Sequence, residues 1–256
     1  SEALQELDRW ALHRAQRLWE TVTEAYDGYQ FHQVFRAVYQ YCVLDLSSCY
    51  LDALKDRLYT EAAAGPARRC AQTALYDILL ALLRMLAPIL PMTTEEVWQL
   101  LRAAGAVDAA SVHLADWPAP LVARVDEALV QRWELFMAVR EVVMKALEEQ
   151  RSAQVIGSPL EAQVSVVAGD PHLARLCEQH RDALAEAFVV SEVRVLASGE
   201  GGGTAVQGLA QVRGARADGA KCQRCWKYRP SVGGSTQHPQ LCDRCVTVVR
   251  AGDEAP

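Results

Sequence analysis

Apolar side chains recur at three- and four-residue steps through the first hundred residues, and that spacing predicts helices. Over residues 4–27, Leu7, Trp10, Ala11, Leu18 and Val22 fall near one face, and Asp27-Gly28 supplies a stop. Phe31, Val34, Phe35, Val38, Cys42, Leu46, Cys49 and Ala53 carry the same rhythm over 31–57. Gly65-Pro66 interrupts it, proline being suited to a first helical turn. Leu75, Ile78, Leu79, Leu82 and Leu86 then mark a third helix, closed by Pro88 and Pro91. Thr93-Thr94-Glu95-Glu96 reads as a capping box that opens a fourth, running to about Arg102. The expectation is a helical bundle.

Beyond it the rhythm changes. Residues 105–121 are irregular, and Trp117-Pro118-Ala119-Pro120 is the strongest boundary signal. A fifth helix is predicted from Asp126 to Gln150, with Leu129, Trp133, Phe136, Val143 and Leu147 on its apolar side. Glu161–Ala168 alternates as a strand does, His172–Ala187 as a helix does, and the β-branched run Phe188–Leu196 reads as a second strand. Gly199–Gly203 reads as a flexible turn, and Ala205–Arg213 as one more strand. The predicted organisation is mainly α. A helical bundle over 1–121 is followed by a small α+β junction region over 122–217, a cysteine module over 218–250 and a tail over 251–256.

Composition narrows the class. No run of eighteen apolar residues exists and no signal peptide opens the chain, so a soluble cytoplasmic protein without a membrane partner is expected. Cys42, Cys49, Cys70 and Cys177 lie scattered in apolar patterns, which suits core packing in a reducing compartment. The net charge of −6 is unevenly spread. Residues 1–120 carry 10 Lys+Arg against 15 Asp+Glu, residues 121–200 carry 8 against 13, and residues 201–256 carry 8 against 4. Contact with a polyanion should therefore be local to the basic end.

That end holds the sharpest motif. Cys222-Gln223-Arg224-Cys225 and Cys242-Asp243-Arg244-Cys245 are two C-x2-C knuckles separated by sixteen residues. Four thiolates so spaced match a closed tetrahedral zinc site, since two intervening residues let one tight turn aim both sulfurs at a single ion. Two disulfides or four core cysteines are the alternatives, but the basic, Gly/Pro-rich surroundings leave no apolar core to fill. A site closed by four sulfurs has no open position for water or substrate, so one structural zinc ion is expected. Its binding would contribute on the order of 10–16 kcal/mol to folding. Arg224, Trp226, Lys227, Tyr228 and Arg229 crowd the second ligand, and Arg244 lies inside the other knuckle. Cations meet phosphates, and an indole gives an unpaired base a face to stack on. On the residues alone, a cover for the metal site and a single-stranded nucleic-acid contact both fit Trp226.

No phosphate-cradling loop and no nucleophile elbow occurs. His13, His32, His113, His172, His180 and His238 lie far apart in sequence, none beside a nucleophile and an acid, so no catalytic residue is assigned.

Several segments carry a resemblance. Phe31-His32, Val43–Asp52, Lys55–Tyr59, Ala67–Thr73 and Leu86–Pro91 resemble the anticodon-binding domain of bacterial isoleucyl-tRNA synthetases. Ser111–Pro118 and Ile156–Ala162 are similar to further segments of that family, and Lys221–Arg229 with Leu241–Val246 to its carboxy-terminal zinc module. The resemblance covers residues 8–250, in family order. It implies the carboxy-terminal third of such an enzyme, because the family's H-I-G-H and K-M-S-K-S motifs and its editing domain are missing from these 256 residues. The whole enzyme would join isoleucine to its tRNA with ATP and magnesium. This portion would grip the anticodon stem-loop of isoleucine tRNA as a monomer, next to the catalytic and editing domains, and would be inactive alone. The resemblance favours base contact for Arg224 and Trp226. Lys55–Tyr59 and Arg68-Arg69 read instead as intrabundle salt bridging with Asp52, Asp56 and Glu61. A zinc-fingered DNA glycosylase would begin Pro-Glu where this chain begins Ser1-Glu2, and a synthetase-derived scaffold would show no preference among tRNAs.

Overall fold

A computed structural model describes residues 4–120, 126–197, 202–206 and 208–253. In chain order the elements are α1 (Glu6–Asp27), α2 (Phe31–Gln40), a π-helical segment (Tyr41–Tyr50), α3 (Leu51–Thr60), α4 (Pro66–Leu86) and α5 (Pro91–Ala103). Then come α6 (Glu127–Ser152), β1 (Ala162–Ala168), α7 (Pro171–Gln179), α8 (Arg181–Ala187), β2 (Glu192–Val195), β3 (Thr204–Val206) and β4 (Ala210–Arg216). The pair β5 (Ala220–Lys221) and β6 (Tyr228–Arg229) and the helix α9 (Asp243–Asp253) complete the chain. The fold is mainly helical, with a small sheet and a four-cysteine cluster. The chain divides into two compact units, one of residues 1–48 and 69–126, the other of residues 49–68 and 127–256.

In the first unit, α1 packs on α2, and Tyr26 donates its hydroxyl to the Met85 carbonyl at 2.9 Å. Arg14 on α1 forks onto Asp45 at 2.9 and 3.2 Å. Leu83, Ala87, Trp98 and Val112 form a buried cluster, and the Trp98 indole donates to the Ala109 carbonyl at 2.9 Å. The Trp-Pro boundary segment is fastened down: Trp19 donates to the Pro118 carbonyl at 2.8 Å and Trp117 to Thr23 Oγ1 at 3.1 Å.

One local expectation changes here. The capping box at Thr93 does not form. Pro91 already occupies the first turn of α5, and Thr94 turns back to donate to the Leu90 carbonyl at 2.9 Å. Glu95 instead accepts from Ser111 Oγ at 2.8 Å and the Val112 amide at 3.0 Å, pinning the 3-10 turn Val112–Leu114 to α5. At the end of α1 the left-handed residue is Tyr29 (φ 53°), while Gly28 has φ −86°. The amides of Tyr29 and Gln30 reach back to the carbonyls of Tyr26 and Ala25, closing the helix with a Schellman motif.

In the second unit the strand order is β2-β1-β4-β3. β1 and β2 run parallel, joined through α7 and α8, while β1 pairs antiparallel with β4 in a register that sets Val164 opposite Gly214. Ala162, Val164, Val166, Ala210 and Val212 are buried, with Trp133, Phe136 and Val143 of α6 and Phe188 after α8. Gly214 lets α6 approach, since a Cβ there would stand 2.9 Å from Gln150 Cγ.

Three expectations are redrawn in this unit. The single strand expected over Ala205–Arg213 is the hairpin β3–β4, turned at Gly208 (φ 78°). The helix expected over His172–Ala187 breaks at His180 into α7 and α8. The run expected as a strand from Phe188 is extended only over Glu192–Val195. Before that, Val189 (φ 57°) and Val190 close α8 by a Schellman pair of hydrogen bonds to Glu186 and Ala185. The turn expected at Gly199–Gly203 falls largely outside the described residues.

Candidate metal centre and nucleic-acid interface

β5 and β6 pair antiparallel, Lys221 opposite Tyr228, and the first knuckle is the tip of this hairpin. Its loop closes through two backbone bonds, Trp226 N–H to Cys222 O at 2.9 Å and Cys222 N–H to Lys227 O at 3.0 Å. Gly219 (φ 89°) leads in, and only glycine fits, because a Cβ would lie inside the Arg229–Pro230 peptide. The second knuckle is the entry to α9, and Ser231 Oγ bridges to Asp243 Oδ1 at 2.9 Å.

This architecture brings the Sγ atoms of Cys222, Cys225, Cys242 and Cys245 within 4.8 Å of one another, all four residues buried, with Cys225 and Cys242 3.8 Å apart. Zn–S bonds of about 2.3 Å set tetrahedron edges of about 3.8 Å, so the four sulfurs fit the expected ion. Burial by Val232 and Leu241 shields them, and the Arg224 guanidinium, 3.9 Å from Cys245 Sγ, offsets thiolate charge. The Cys225 thiol is drawn down to about 5 by the hydrogen bond from Cys245, against its burial, while the same contact pushes Cys245 up. None of the other four cysteines forms a disulfide among the described residues. Burial raises Cys42, and it raises Cys177 to about 11, as suits inert packing residues.

The cations named from sequence divide sharply. Trp226 points outward, 59% exposed, in a left-handed conformation (φ 65°) that a bulky residue rarely adopts, with Lys221 Nζ 5.6 Å from its ring centroid. Tyr228 and Arg229 are half-buried on β6, and Arg216 packs over the Tyr228 ring at 5.5 Å. Lys227 is 7% exposed, and its ammonium lies 3.0 Å from Asp56 on α3. Arg244 forks onto the same carboxylate at 2.6 and 2.8 Å, and also donates to Thr60 Oγ1 at 2.9 Å and to Glu61 at 3.4 Å. Arg224 donates to the Thr60 carbonyl. Burial alone would raise Asp56, but the hydrogen bonds from Arg244 and the charge of Lys227 prevail and hold its carboxyl well below the usual range.

The intrabundle pairing expected around α3 is therefore only partly present. Lys55 does pair with Asp52 at 2.6 Å, but Arg57 reaches Glu186 on α8 at 2.5 Å, Arg69 turns to Gln72, and Asp56 and Glu61 serve Arg244. Sequence reading had no means of pairing positions nearly 190 apart. It also missed Ser191, whose hydroxyl donates to the Leu160 carbonyl at 2.6 Å and accepts from the Tyr228 amide at 2.8 Å, tying β6 to the junction region. Beside Trp226 opens a largely apolar cleft of about 590 Å³, walled by Lys55 and Tyr59 of α3, Pro159, and Val189 after α8.

Residues 8–166 match the profile described as the anticodon-binding domain of tRNA ligase, and the chain belongs to that family. Residues 219–248 match the zinc finger found in FPG and IleRS. The chain is 42% identical over 250 residues to the isoleucine–tRNA ligase of Fervidobacterium nodosum, covering 97% of this chain and 27% of that protein. It is likewise 42% identical over 255 residues to that of Moorella thermoacetica, with the same coverage, and 44% identical over 250 residues to that of Desulforudis audaxviator, covering 96% and 27%. The chain thus spans about a quarter of the length of these curated relatives. Among the described residues no helix is long and apolar enough to cross a membrane.

Proposed function

We propose that this chain is the part of an isoleucine–tRNA ligase that binds the anticodon stem-loop of isoleucine tRNA, one zinc ion holding its terminal module in shape. The observation that carries the reading is Trp226: an exposed indole, kept in a disfavoured backbone conformation by a metal-type knuckle, at the lip of an apolar cleft. Strain retained at an exposed aromatic is more typical of a working surface than of a cover. Unpaired anticodon bases would stack on this face and enter the cleft, as single-stranded RNA is generally read. Lys221 stands against the indole and Tyr228 and Arg229 follow on β6, while Arg224, Lys227 and Arg244 support the surface through their bonds to the end of α3.

The functional division follows the bundle over 1–121, the junction over 122–217 and the module over 218–250. Attachment of isoleucine, with its ATP and magnesium, would belong to catalytic and editing regions outside these residues, in a monomeric cytoplasmic enzyme. Titration of the chain with isoleucine tRNA and an unrelated tRNA at fixed salt tests the reading. Preference for the first, with protection confined to the anticodon arm, is expected, and equal binding would point to a scaffold. Trp226→Ala should cost about 1–3 kcal/mol of affinity while zinc is retained. ATP–pyrophosphate exchange should stay at background.

A further inference from the structure

Three cations of the two knuckles are directed at one place, the carboxy-terminal turn of α3. Arg224 and Lys227 come from the first knuckle and Arg244 from the second, and they meet Asp56, the Thr60 carbonyl and hydroxyl, and Glu61. The last turn of a helix presents unpaired carbonyls and the negative end of its dipole, so this turn attracts cations before any side chain is counted. Asp56 adds a half-buried carboxylate that accepts from both knuckles at once, and a bidentate guanidinium contact fixes orientation as well as distance.

We propose that the end of α3 is a socket that orients the zinc module, and that Asp56 is a positioning residue for RNA binding, acting through Arg244 and Lys227 on the placement of Trp226. The metal folds the module; the socket aims it. Without Asp56 the four sulfurs keep their own geometry, while the face carrying Trp226 must be ordered each time RNA binds, which weakens binding. The proposal rests on the RNA-binding reading above for its functional half only; the mechanical half stands by itself.

The test uses the full zinc-loaded chain with Asp56→Asn, Asp56→Glu and Arg244→Gln. Zinc content comes from elemental analysis, and amide relaxation compares residues 51–60 with residues 220–245. Wild type should give one tumbling time for both segments. Asp56→Asn and Arg244→Gln should keep one zinc per chain, give the module a shorter tumbling time than α3, and weaken anticodon stem-loop binding by about tenfold. Asp56→Glu, which retains the charge, should restore most of both losses. Common tumbling in both neutral variants, or loss of zinc in step with loss of docking, would overturn the socket. Altered tumbling with no change in RNA affinity, in a chain where Trp226→Ala is also silent, would uphold the socket and overturn the RNA reading instead.

Discussion

Trp226 sits where a tight metal-binding loop asks for glycine, and its φ of 65° carries a cost of roughly 1–2 kcal/mol for any side chain. Its indole is not repaid by burial, since 59% of the residue is exposed. Trp226→Gly should therefore raise the unfolding free energy of the zinc-loaded chain by about 1 kcal/mol in guanidinium melts while lowering RNA affinity. A variant that loses both stability and affinity would show that the ring supports the fold. The residue type and its place in the motif were visible in the sequence, and so were the four sulfur ligands. What could not be read was the backbone angle, because nothing in Cys225-Trp226-Lys227 announces a left-handed residue. Nor was the fate of Lys227 and Arg244 legible: a basic residue beside a knuckle looks alike whether it faces RNA or a carboxylate on α3.

At the scale of elements, α3 and α8 pack in contact and are bound by Arg57 and Glu186, whose side chains are 5% and 18% exposed. Glu186→Ala would take one carboxylate away from a buried guanidinium, and a loss of about 1–3 kcal/mol in thermal or denaturant unfolding is expected. The Asp56 tie behaves oppositely to a switch near neutral pH. Its folded carboxyl lies below its unfolded value of about 3.9, so its stabilisation is complete well above that value, declines as pH falls below it, and is gone once pH has passed through the depressed one. A carboxyl-carbon shift titration should find Asp56 still ionised at pH 4. Long, strongly periodic helices such as α1, α4 and α6 were legible because their apolar stripes run for five or more turns. Short elements were not. The β3–β4 hairpin hid behind one glycine, and Phe188–Val190 is β-branched and apolar yet closes a helix, since buried packing outweighs strand propensity there.

For the whole molecule, metal and fold are coupled at one end. Chelation should unfold β5, β6 and α9, which have few apolar residues of their own, while the helices of the first unit and the sheet of the second persist. Far-ultraviolet dichroism should then fall only slightly and the RNA complex should dissociate; global unfolding on chelation would contradict this. The family could be recognised in the sequence because its segments appear in order along the chain. The partition into two compact units could not, because the boundary after residue 48 falls inside a helical stretch that runs from Phe31 to Thr60.

Among the described residues, three helices end on a left-handed corner occupied by something other than glycine: Tyr29 after α1, Gln154 after α6 and Val189 after α8. Each corner stores a little tension in the native chain that a hydrogen atom in place of a side chain would release. Gln154 carries no aromatic ring, so anyone wanting a hardier protein for crystallisation or sensing could soften that corner with Gln154→Gly and expect a higher unfolding midpoint.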